Sequence, residues 1–190
     1  MKYLVLLGLI CLSLITKAQS DYYFPQAKKL NTSIPTPEKF LGYPIGSHHT
    51  RHDKIVEYIK ELDRVSDRFV VEEIGSTIGH RIQVVAKITS PANHSRLEEI
   101  RMKNLEGATD IPLVIQLGYN VHGNEPSSSE SAMLTAYYLA ASEDDETLRW
   151  LNDMVILLDP VYNPDGRDRH THWANMHKGF PPVSDPMDRE

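Results

Sequence analysis

The sequence predicts an α/β fold organised around a β-α-β unit with parallel strands. Two short, nearly continuous apolar runs, "IPLVIQLGY" and "MVILLDP", have the character of strands buried on both faces, as in a parallel sheet. Between them, "PSSSESAMLTAYYLAASEDDETLRWLN" carries a broad apolar surface at Ala132, Leu134, Ala136, Tyr137, Leu139 and Ala140. Ile111 to Leu158 therefore reads as strand, helical crossover and strand, expected to be right-handed.

The elements before this unit follow from their own patterns. Residues 1–18, "MKYLVLLGLICLSLITKA", combine Lys2, an apolar run from Tyr3 to Thr16 and a small residue before the expected break, which reads as a secretory signal peptide. The run is too short to span a membrane comfortably. Ile10 precedes Cys11 where a lipoprotein site wants a small residue. Export to a secreted or periplasmic location is expected, with no membrane attachment after cleavage. Residues 19–50 form an extended lead-in. "IPTPEKFLGYPIG" cannot sustain a helix, because its prolines lack a donor and restrict their neighbours. His48 and His49, which close it, read as surface residues. From Asp53, an expected N-cap, Ile55, Ile59, Leu62 and Val65 recur at helical spacing. Phe69–Ile74 and Ile82–Thr89 flank a Gly-containing turn and read as a hairpin. "NHSRLEEIRMKNLEG" reads as a short helix or an ordered loop. Asn31-Thr32-Ser33 and Asn93-His94-Ser95 are formal glycosylation acceptors.

Composition narrows the function. The chain has 190 residues, 41 % hydrophobic and 24 % charged, ordinary for a globular protein with a sizeable core. Removing residues 1–18 takes away two lysines and no acids, moving the formal net charge from −6 to −8. An acidic chain without a basic run is a poor partner for nucleic acid. Cys11 is the only cysteine. The mature chain therefore has no disulfide and no thiolate ligand, and a metal must be held by His, Asp or Glu.

Two loops leave the carboxyl ends of the two apolar strands. "YNVHGNEPSSSES" follows the first and "DPVYNPDGRDRHTHWANMH" the second. In open α/β sheets, ligand sites form in crevices at that edge. His122 offers an imidazole nitrogen and Glu125 a carboxylate, both good zinc donors. Gly123 is expected to let the backbone turn sharply. Pro126 suits the first helical position and puts Glu125 at a helix N-terminus, where the dipole keeps a carboxylate ionised. His-x-x-Glu by itself is a weak pattern; its place at a strand end strengthens it.

The wider pattern resembles the zinc carboxypeptidase family (M14 metallopeptidases). "HGNEPSSSESAMLTAYYL", the following strand and Asn163-Pro164-Asp165-Gly166 match in order, and "GSTIGHRIQVVAKI" is similar to that family's early hairpin. The resemblance spans roughly Ile55 to Gly166, so that 51–190 is identified as the N-terminal portion of a catalytic domain. It implies a mixed, partly parallel sheet with helices on both faces. It implies zinc held by His122 and Glu125, and hydrolysis of the C-terminal bond of a peptide or protein by zinc-activated water. It also implies a third histidine ligand and a general-base glutamate far downstream, and an Asn-Arg pair that grips the substrate carboxylate. No Asn-Arg dipeptide follows Glu125. His170, His172 and His177 precede any further strand and read as exposed loop histidines. Asp165 reads as a turn-former, and Arg167 and Arg169 as rim residues. "HKGFPPVSDPMDRE" has no apolar period, so the fold is expected to be incomplete at the C-terminus, the chain truncated and not active by itself, and the second apolar strand short of a neighbour. Two other readings keep part of this picture: an amidase of the same fold acting on cell-wall peptides, and a non-catalytic secreted binding domain.

Overall fold

A computed structural model describes residues 22–177. The expected signal peptide at 1–18 and the final stretch from Lys178 lie outside the described residues. Four strands form one sheet in the order β1-β2-β4-β3: β1 (Phe69–Ser76), β2 (Ile82–Ile88), β3 (Leu113–Gly118) and β4 (Met154–Asp159). β1 and β2 make the expected antiparallel hairpin, with an irregularity between Glu73 and Gly75. β3 and β4 are parallel, in register from Leu113 opposite Met154 to Gly118 opposite Asp159. The fold class is thus mixed α/β with a partly parallel sheet.

The lead-in lies on the domain, where Leu30 bridges Ser142 and the Asn31 N–H donates to Ala141 O at 2.7 Å. Its prolines permit only short helical stretches, of which α1 spans Pro37–Leu41. Thr36 caps α1 and Gly42 ends it in the left-handed region at φ 81°. α2 (His52–Val65) buries Ile55, Ile59 and Leu62 of the predicted stripe, together with Val56 and Tyr58, while Val65 is half-buried. Its start departs from expectation. Arg51 is the N-cap and makes no side-chain cap, Asp53 pairs with Arg51, and the His52 N–H is satisfied at 3.0 Å by Asp168 Oδ1, which lies more than a hundred residues away.

α3 (Pro91–His94) and α4 (Leu97–Leu105) resolve the ambiguous segment after the hairpin as helical. Asn93 is buried, and its amide donates to Thr89 Oγ1, Leu151 O and Asn152 O, so the second formal glycosylation acceptor is not presented to solvent. The crossover consists of α5 (Pro126–Ala141) and α6 (Asp145–Asp153). α5 packs on α2 and places Met133, Ala136, Tyr137 and Ala140 in the main core with the buried residues of α2.

β4 is the centre of the sheet, hydrogen-bonded to β2 on one side and β3 on the other. Ile156 and Leu158 belong to the main core, while Val155, which points the opposite way, is buried outside it, so both faces are covered here. Two expectations are corrected by this arrangement. The second apolar strand has neighbours on both sides. Among the described residues the first, β3, is instead the edge strand: Leu113 is exposed and no β3 residue is fully buried.

The clearest departure is α7 (Pro164–Met176), a thirteen-residue helix where a loop is expected. Its buried positions are Pro164, Arg167 and Thr171, at helical spacing but without an apolar residue beyond the proline. Hydrophobic periodicity therefore has nothing to register. The start follows ordinary rules, with Asn163 capping Gly166 N–H at 2.9 Å and Pro164 at the first position. Among the described residues, no helix is long and apolar enough to cross a membrane.

Candidate metal centre

Because β3 and β4 are parallel, the loops that follow them leave the same edge. Three backbone hydrogen bonds then join the loops beyond the strand ends: Tyr119 N–H to Asp159 O at 3.0 Å, Tyr162 N–H to Tyr119 O at 2.9 Å and Asn163 N–H to Asn120 O at 3.1 Å. Glycines let the two loops meet. A Cβ on Gly118 would lie 1.9 Å from the Tyr162 ring, and one on Gly123 would lie 1.9 Å from the carbonyl carbon of Gly166. Gly123 is therefore required for close approach and not for an unusual backbone angle, since it is absent from the positive-φ residues.

His122 to Glu125 is a tight turn closed by Glu125 N–H to His122 O at 3.0 Å. Asn120, buried and in the left-handed region at φ 55°, sits beneath it. Its Nδ2 donates to His122 O at 2.8 Å and to Glu125 O at 3.1 Å, and its backbone N–H donates to Ser128 Oγ at 2.7 Å. Glu125 is the N-cap of α5 but makes no side-chain cap, which leaves its carboxylate uncommitted at the positive end of the helix. Both His122 and Glu125 are exposed. An imidazole and a carboxylate, both exposed on one tight turn, are donor types that zinc accepts as part of a ligand set. Among the described residues, no group of three or more His, Cys, Asp or Glu is placed to hold a metal.

The downstream histidines do not join this pair. His170 and His172 lie on α7, where His170 stacks edge-on against His49 at 5.2 Å. His172 lines a separate surface depression with Arg81, Asp165 and Asp168. His177, the C-cap of α7, lies on Trp173 at 5.0 Å. His48 is exposed as expected. His49 is half-buried, with its backbone bonded on both sides to the Asn175 amide.

Arg167 is not a rim residue. It is fully buried. Its Nε donates to Thr50 O at 2.9 Å, one terminal nitrogen to Pro126 O at 2.9 Å and the other to Glu130 Oε1 at 2.8 Å. Glu130 in turn accepts from the Thr50 N–H and hydroxyl. Burial pulls the Arg167 guanidinium below its usual range, and the Glu130 charge opposes that shift. Arg169, expected on the same rim, is exposed on α7. Asp165 does more than form a turn. It accepts from Thr77 Oγ1 at 2.8 Å, from Gly79 N–H at 3.2 Å and from Arg81 at 2.7 Å, locking the hairpin tip onto α7. The Thr77 hydroxyl, followed by Arg81, holds its carboxyl below the usual range. Asp159, at the end of β4, is buried and accepts from Val161 N–H at 3.1 Å; burial pushes its carboxyl up to about 6.

Sequence reasoning missed Asn120 and Glu130. Neither stands out from its neighbours in the chain, and the partners of Glu130 lie 37 and 80 residues away.

With this geometry in view, comparison with known proteins is informative at the family level. The family model described as zinc carboxypeptidase matches residues 55–182. The chain belongs to that family. Among solved structures, it is similar to thrombin activatable fibrinolysis inhibitor, at 17 % identity over 70 % of this chain and 31 % of that one, with a TM-score of 0.48. It is similar to the carboxypeptidase A of Helicoverpa armigera, at 15 % identity over 80 % and 31 %, with a TM-score of 0.49. It is also similar to a metallo-carboxypeptidase from Burkholderia cenocepacia, at 15 % identity over 67 % and 30 %, with a TM-score of 0.43. The chain thus spans about a third of the length of these structures. A search of curated sequences found no match.

Proposed function

We propose that this chain contributes the first two zinc ligands, His122 and Glu125, of an exported metallocarboxypeptidase that hydrolyses the C-terminal bond of peptides. The observation that carries this reading is the pairing of an exposed imidazole with an uncapped, exposed carboxylate at the carboxyl edge of two parallel strands, within the stretch that matches the family. When bound, zinc supplies Lewis acidity toward a carbonyl and acidifies water. A catalytic zinc takes three protein ligands. The third, together with the general base and the residues that grip the substrate, is assigned to sequence other than the described residues. The protein's own contribution at this edge is orientation. The loop bearing the ligands is fastened to the next loop by backbone hydrogen bonds, and the close contact at Gly123 leaves it no slack. Export to a secreted or periplasmic location is supported by Lys2 and the apolar run that follows it.

The test is metal content and peptide cleavage in the full-length protein. One zinc per chain and release of the C-terminal residue from a free-carboxylate peptide are expected. His122→Ala and Glu125→Gln should each lose the metal and the activity. Stoichiometric zinc retained by both variants would refute the assignment.

A further inference from the structure

We infer that Asn120 is the positioning residue of the metal site, holding both ligand-bearing backbone units through one carboxamide. The inference rests on His122 and Glu125 being zinc ligands. The two hydrogens of Nδ2 go to the carbonyls of those same two residues, at 2.8 and 3.1 Å. An amide nitrogen has two donor hydrogens, so this donor set is fully used. The amide orientation follows from the partners, because the opposite orientation would set an acceptor oxygen against two carbonyl oxygens.

The backbone of Asn120 is equally committed, while its Oδ1 is buried without a hydrogen-bond partner. Its backbone N–H donates to Ser128 Oγ on α5 and its carbonyl accepts from Asn163 N–H beyond β4. The residue thus joins the ligand turn, the helix that follows it and the neighbouring loop. It is 1 % exposed, so water does not compete for these bonds. Its φ of 55° is one that asparagine tolerates better than most residues with a Cβ. A turn fixed at both ends holds its two donor side chains in a narrow range of separations before the metal arrives. That is the way in which residues behind a ligand commonly tune metal affinity.

Two substitutions separate the clasp from the backbone angle. Asn120→Gly keeps the left-handed conformation and both backbone bonds while removing the carboxamide. Asn120→Asp keeps the shape but turns an acceptor toward the two carbonyls. In the full-length protein, zinc affinity is measured by chelator competition. The visible spectrum of the cobalt-substituted protein reports ligand geometry, and a thermal melt reports the fold. Both variants are expected to bind zinc about 10–100-fold more weakly, with an altered cobalt spectrum, Asn120→Asp being the worse, and Asn120→Gly is expected to melt below the parent yet remain folded at the temperature of the metal assay. Unchanged affinity and spectrum in Asn120→Gly would overturn the inference. So would metal loss that merely tracks global unfolding, because Asn120 would then serve the fold alone. His122→Ala and Glu125→Gln serve as controls. If they keep the metal, the site assignment itself fails, whatever Asn120 does.

Discussion

Arg167→Met should be among the most destabilising single substitutions in this domain. It keeps much of the apolar stem and removes the guanidinium. Three hydrogen bonds of 2.8–2.9 Å go with it. The Glu130 carboxylate is left buried without its counter-charge, and Thr50 O and Pro126 O lose their donor. Breaking a buried ion pair from one side costs about 3–5 kcal/mol. Stranded carbonyls would add about 1–3 kcal/mol each, although entry of water limits the sum. A net loss of about 3–5 kcal/mol is expected, a large part of the ~5–15 kcal/mol that separates folded from unfolded domains. Glu130→Gln keeps an acceptor for Thr50 and should cost about 1.5–3 kcal/mol, the value of hydrogen bonds to a charged group. The assay is urea unfolding followed by far-ultraviolet circular dichroism, with a thermal melt alongside. A change within about 0.5 kcal/mol, the ordinary range for surface positions, would refute the reasoning and return Arg167 to the surface.

Two other predictions concern the same edge. Gly123→Ala places a methyl where the Gly166 carbonyl carbon lies 1.9 Å away, so the two loops must part; a loss of at least about 1–3 kcal/mol is expected, and an unchanged melting temperature would show that the loops are not in contact. Asp159, raised to about 6 by burial, ionises more readily in the unfolded chain, where its value is about 3.9. Stability is therefore highest below about pH 4 in this contribution and falls by about 2–3 kcal/mol as pH rises through 6. Asp159→Asn should flatten that part of the stability–pH curve, and an identical curve in the variant would disprove the shift.

The elements that were legible in the sequence are those whose stability is written in apolar periodicity. The stripe of α2, the alternation of β2 and the apolar runs of α5 and β4 bury hydrophobic residues as their patterns predict, so there pattern and structure coincide. α7 escaped because its buried face is Pro164, Arg167 and Thr171, and polar residues at helical spacing cannot be told from a loop until their partners are known. The edge position of β3 was also hidden. Its apolar run reads like that of β4, and only strand order decides which of the two has a neighbour on each side.

For the site, the sequence by itself determined the sheet edge at which the proposed donors lie. His122 and Glu125 follow one apolar strand, Asn163 to Gly166 follow the next, and a parallel pair must put both loops at one end. Tertiary structure alone decided what fastens them. Asn120 became a clasp, Gly123 a contact with Gly166, and Arg167 the buried partner of Glu130, because each role depends on atoms distant in sequence that the fold brings within a few ångströms. Covalent order sets spacing along the chain; hydrogen bonds and close contacts between segments exist only after the segments have met.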